Sequence, residues 1–148
     1  ISAMGLRDLV LNYPYIFQVA EPDDIETPQQ IARELKALRA ADLLAAEGIS
    51  LEVVDPRTLF PLDIETIVAS VKKTSRLVIT HEAPERGGFA AEVAAQVADR
   101  AFGYVDAPIQ RVCSPSVPPP FARNMEDYIM IDELKIADRV RQLVRGEI

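Results

Sequence analysis

Short β-rich runs alternate with amphipathic helical segments along this chain, and that alternation restricts the possible folds more than any other feature. Strands separated by helices cannot pair as hairpins, so they assemble into a mostly parallel sheet whose two faces are covered by the helices. "LEVV" (51–54), "LVIT" (77–80) and "IQRVC" (109–113) read as strands, and "YIFQVA" (15–20) as a fourth. Between them, "TPQQIARELKALRAADLLAAEG" (27–48) opens with Thr27 as N-cap, Pro28 at the first helical position and Gln30 completing a capping box, and stops at Gly48. "DIETIVASVKK" (63–73) starts at Asp63 and sets Ile64, Ile67, Val68 and Val71 on one face, with Lys72 and Lys73 at the end where the helix dipole is negative. "GFAAEVAAQVADRAF" (88–102) aligns Phe89, Val93 and Val97, and a last helix over about 132–145 aligns Ile136, Val140, Leu143 and Val144.

One segment breaks the rhythm. "CSPSVPPPFARNMED" (113–127) carries Pro115 and Pro118 to Pro120, which remove backbone donors and fix φ, so an extended crossing of the surface is expected there. Helical pattern resumes after it, which marks a connector within one domain. A chain of 148 residues is long enough for a single core. Its net charge of −7, without any Lys/Arg run, excludes a phosphate-tracking surface for nucleic acid. No stretch is apolar enough to cross a bilayer, and a cytoplasmic location is expected. Cys113 and His81 are the only residues of their types, too few soft ligands for a zinc site.

The chemistry-bearing candidates lie at the ends of the strand runs, where open α/β sheets bind ligands. His81 and Glu82 follow the run 77–80, and Gly87-Gly88 precede a helix whose N–H groups could approach an anion. His81 could serve as a general acid or base; the plainer alternative is a turn histidine bonded to backbone, with the glycines only reversing the chain. Arg57, after the strand at 51–54, could hold an anion or pair with Asp55 or Asp63. "ERGGFA" has neither dinucleotide nor P-loop spacing, and no G-x-S-x-G elbow accompanies the histidine. Cys113 reads as a small buried hydrophobe rather than a nucleophile.

From about Ala37 onward, the blocks "EVVDPRTLFPLD", "HEAPERGGFAAE" and "DAPIQRV" resemble the C-terminal domain, of transketolase C-terminal type, of the β subunit of thiamine-diphosphate-dependent 2-oxo acid dehydrogenases. The pyruvate, branched-chain and acetoin enzymes form that group. The resemblance implies a three-layer α/β/α sandwich with a five-stranded, mostly parallel sheet over 15–148, residues 1–14 being set apart as a leader. It also implies a domain that assembles the decarboxylating component and docks its acyltransferase, without turnover of its own. The cofactor glutamate, the diphosphate and the magnesium belong to other domains in that family, so this chain alone is expected to bind no cofactor or metal. Thiamine diphosphate and magnesium enter only in the intact enzyme. The implied partners are the α subunit, a second β subunit and the basic subunit-binding domain of the acyltransferase, with homo-oligomers when the chain is alone. His81, Glu82 and Arg57 are then expected at an interface or the rim of the substrate channel. Glu126, Asp127, Asp132 and Glu133 are expected to dock the basic domain, against a plainer role as a solvated face in which Asp132 caps a helix. Two other functions remain: a free-standing module binding an anionic metabolite near Arg57, His81 and Gly87, and a small enzyme with His81 as base.

Overall fold

A computed structural model describes residues 9–12, 28–56 and 58–148. In chain order the elements are β1 (Leu9–Asn12), α1 (Pro28–Ala45), β2 (Leu51–Val54), α2 (Ile64–Thr74), β3 (Leu77–Pro84), α3 (Phe89–Ala101), β4 (Gln110–Ser114), α4 (Arg123–Ile129) and α5 (Glu133–Arg145). A short 3-10 turn, Phe102–Tyr104, follows α3. The strands form a parallel sheet in the order β2-β1-β3-β4. Four strands are seen among the described residues where five were expected. The strand between β2 and β3 comes from Leu9–Asn12, inside the stretch set apart as a leader, and residues 15–20 lie outside the described residues. A four-residue apolar run carries no periodicity of its own, so its membership of the sheet could not be read locally.

Alternation along β3 separates two cores. Leu77 and Ile79 pack with Ile67, Val71, Val93 and Val97 of α2 and α3. Val78 faces the other way, onto Ala40 and Leu44 of α1 and Ile136, Val140 and Leu143 of α5. A strand buried on both faces has to be apolar at every position, which is why "LVI" does not alternate with polar residues. The helix caps follow the chemistry of their sequences. Asp63 accepts from the Thr66 amide at 3.1 Å, and Asp132 accepts from the Lys135 amide at 2.7 Å. Gly48 and Gly146 lie just past α1 and α5 with φ of 79° and 70°.

Two differences from the expected elements bear on the site. β3 runs on to Pro84 rather than stopping at Thr80, so His81 and Glu82 lie within the strand. The proline-rich connector also contains a helix, α4. Its exposed carbonyl end is closed from outside, because the Lys135 ammonium donates to the Tyr128 carbonyl at 2.8 Å and to that of Met130. This tie between α4 and α5 is tertiary, and local propensity could not signal it.

Candidate functional site

All four strands are parallel, so the residues that follow them gather at one end of the sheet. β3 reaches that end through an irregularity. His81 pairs in register with Cys113, but the next pairing is Pro84 with Ser114, so Glu82 and Ala83 form a bulge. His81 is 3% exposed and lies on the face covered by α2 and α3. Its ring defines what can follow in sequence. A Cβ on Gly88 would stand 3.2 Å from His81 Nδ1 and would collide with the Pro84 carbonyl oxygen. Gly87 has φ of 76°, a backbone that L side chains rarely adopt. The two glycines therefore have different reasons: one turns the chain, the other lets the start of α3 sit on the imidazole.

The corner is braced from β4. The Arg111 guanidinium donates to the Glu85 carbonyl at 2.9 Å and approaches its carboxylate at 3.4 Å. The Glu85 amide donates to the Ser114 carbonyl at 3.0 Å, and the Arg86 amide to the Ser116 hydroxyl at 3.4 Å. Arg111 was not singled out from sequence; its signal was a lone cation inside the strand run "IQRVC". Cys113, beside His81, is half-buried, and burial raises its thiol pKa, which keeps it protonated and poorly nucleophilic.

His81 and Glu82 do not converge. Successive strand residues face opposite sides, and Glu82 meets Lys36 of α1 at 3.8 Å, both side chains largely covered. Arg57 lies outside the described residues. The four acids expected to dock a basic domain divide. The Asp132 carboxylate caps α5, and Glu133 stands 3.9 Å from Arg39. Glu126 and Asp127, on the exposed α4, have no cation within salt-bridge reach among the described residues. Around them the same end of the fold shows large apolar side chains to solvent: Phe60, Val117, Phe121, Met125, Tyr128 and Leu134.

Residues 35–136 match the family model for "Transketolase, C-terminal domain". The chain belongs to this family. The mitochondrial pyruvate dehydrogenase E1 component subunit beta of Dictyostelium discoideum is 43% identical over 108 residues, 73% of this chain and 30% of the relative. The beta subunit of the acetoin:2,6-dichlorophenolindophenol oxidoreductase of Cupriavidus necator is 45% identical over 111 residues, 75% of this chain and 33% of the relative. The mitochondrial 2-oxoisovalerate dehydrogenase subunit beta of Dictyostelium discoideum is 44% identical over 111 residues, 74% of this chain and 30% of the relative. This transketolase C-terminal domain thus spans no more than 33% of the length of these three relatives. Among solved structures, a chain described as "Split gene transketolase, inactive beta4 tetramer" superposes with a TM-score of 0.61 over 94% of this chain and 38% of its own, at 24% identity, which shows the shared fold.

The relatives named as pyruvate dehydrogenase subunits raise the question of thiamine diphosphate and its metal. The described residues do not fit that group. Among the described residues no three His, Cys, Asp or Glu side chains cluster as metal ligands. The sequence has no G-D-G stretch, and its two asparagines are Asn12 and Asn124. Glu82, held by Lys36, is not placed as part of a metal–diphosphate site. No helix among the described residues is long and apolar enough to cross a membrane.

Proposed function

We propose that this transketolase C-terminal domain is the assembly and docking domain of the β subunit of a thiamine-diphosphate-dependent 2-oxo acid dehydrogenase, active only as part of the whole. The observation that carries the reading is the strand-end surface. Phe60, Phe121 and Tyr128 are 97%, 108% and 82% exposed, and three further large apolar side chains accompany them. A monomer rarely leaves such a surface to water, and an apolar face rimmed by charge is the usual form of a protein–protein interface. In this reading the α subunit and a second β subunit cover it, and the intact enzyme supplies thiamine diphosphate and magnesium. His81, Glu82 and Arg57 shape the interface or the rim of the substrate channel. Glu126 and Asp127, with Asp132 and Glu133 beside them, meet the basic subunit-binding domain of the acyltransferase, where opposite charge mainly speeds association. The sheet has the five strands of the family, the domain includes Leu9–Asn12, and the chain alone self-associates. A cytoplasmic location belongs to the same reading, although two of the three relatives above are named as mitochondrial.

Complementation tests this. The chain is co-expressed with the α subunit and the cofactor-binding portion of the β subunit of one of the named relatives, and the product is assayed for oxidative decarboxylation of pyruvate, branched-chain 2-oxo acids and acetoin. The expected result is a co-purifying assembly whose activity requires this chain, while calorimetry of the chain alone shows no saturable heat with thiamine diphosphate. Failure to assemble, together with saturable binding of a small anionic metabolite that shifts the His81 ring resonances, would replace it with the free-standing binding module.

A further inference from the structure

At the outer edge of the sheet, β4 borders an open cleft of about 480 Å³ that reaches the strand-end corner at Glu85 and Lys135. Residues 109–113 form one wall and the flank of α5, from Lys135 to Gln142, the other. No described strand pairs with the outer edge of β4, which is the last in the order β2-β1-β3-β4. Five strand residues extend roughly 16 Å, so the cleft is a trough beside a row of main-chain donors and acceptors, the arrangement that receives an added strand.

The charges along the trough are unevenly matched. Arg111 is engaged by Glu85, and Asp138 by Arg141. Lys135 is turned toward the carbonyls of Tyr128 and Met130, with Asp132 at 3.8 Å. Arg139 is different: it is half-buried and has no carboxylate within salt-bridge reach among the described residues. One of its N–H groups donates to the Gln110 side-chain oxygen at 3.1 Å, and the Gln110 side-chain NH2 donates to the Pro108 carbonyl at 3.2 Å. That relay orients the guanidinium with one donor and leaves the rest of its planar fork for a ligand. An oriented, uncompensated arginine in a cleft is suited to a bidentate carboxylate.

We infer that the trough between β4 and α5 binds an extended acidic segment of a partner protein, which adds a strand to the β4 edge and places a carboxylate on Arg139. An acidic occupant is the one the charges select, because the cation left unmatched lies in the trough even though the chain as a whole carries a net charge of −7. The inference uses the β4 edge and Arg139 and none of the exposed apolar side chains at the strand ends, so it does not rest on the assembly reading.

Fluorescence anisotropy with a labelled, end-blocked peptide alternating valine and glutamate tests it on the 148-residue chain. The peptide should bind about tenfold more tightly than its valine–lysine counterpart, and Arg139→Gln should remove that preference. Arg139→Lys, which keeps charge but loses the fork, should recover only part of it. A version of the peptide N-methylated at alternate residues keeps its carboxylates but cannot pair as a strand, and should lose most of its affinity. Amide shifts on binding should map to residues 110–114. Equal binding of the acidic and basic peptides, undiminished binding of the N-methylated peptide, or unchanged affinity in a folded Arg139→Gln chain would each overturn the inference. So would displacement of the peptide by free glutamate or inorganic phosphate at comparable concentration, which would make the trough a small-anion site.

Discussion

Two neighbouring stretches near the end of the chain carry large apolar side chains to opposite fates. Ile136, Val140 and Leu143 of α5 are at most 1% exposed, whereas Phe121, Met125 and Tyr128, a few residues earlier, stand in solvent. Hydrophobicity alone does not separate them. Residues 136, 140 and 143 recur at helical spacing on one face, and that face meets Val78, Val112 and α1, so burial is completed within the domain. The stretch 115–130 crosses the ends of the strands, where no described residue covers Phe121, Met125 or Tyr128. The first stretch stabilises this fold, and the second is available to another chain.

The largest effect should come from the interior. Leu143→Ala should lower the unfolding free energy by about 2–5 kcal/mol in urea titration, because the cavity cannot be filled from solvent. Phe121→Ala, which removes a bigger side chain, should stay within about 0.5 kcal/mol of the parent. If the two losses were equal, the contrast would fail. Next is the His81 corner, where neither burial nor exposure alone governs. Gly88→Ala forces a methyl group against the Pro84 carbonyl and the His81 ring, and a loss of about 1–3 kcal/mol is expected in the same titration. A neutral outcome would show that α3 can shift away.

A smaller effect tests how α5 is held from outside. Arg141 clasps Glu47 beyond the end of α1 through contacts of 2.6, 3.0 and 3.2 Å, and the hydrogen bond from Arg141 holds the Glu47 carboxyl below its ordinary pKa of 4.5. A depressed folded pKa means the stabilisation is present above the unfolded value and is lost as pH falls through the folded one. The urea midpoint should therefore drop below pH 4.5 by more in the parent than in Glu47→Gln, and parallel pH profiles would remove the clasp from the account. The smallest stability change belongs to the double variant Phe121→Ser, Tyr128→Ser. Its unfolding should be nearly unaltered, while sedimentation equilibrium shifts toward monomer. Self-association equal to that of the parent would move the interface away from the strand ends.

Apart from α4, the helices were legible from start, stop or apolar-stripe signals: Asp63 and Asp132 as caps, Gly48 and Gly146 as terminators, and Val93 with Val97 as a packed face. β2, β3 and β4 were legible as short β-branched runs, within a residue or so at most ends. β3 outran its pattern because His81 to Pro84 join the sheet through pairing with Cys113 and Ser114, residues far along the chain from them. The glycine pair was visible in the sequence, but the reason for Gly88 was not, since a forbidden Cβ exists only once His81 and Pro84 are folded against it. The same holds for Arg139, an ordinary basic residue on a helix until Gln110 of the edge strand orients it over the trough. By itself the sequence determined α1, α2, α3 and α5, the strands β2, β3 and β4, and that the strands run parallel, because periodicity, caps and chain order are local or topological properties. Tertiary structure alone decided which strand stands between β2 and β3, which apolar residues remain outside, and which charges go unmatched, since those depend on distances between groups far apart in the chain.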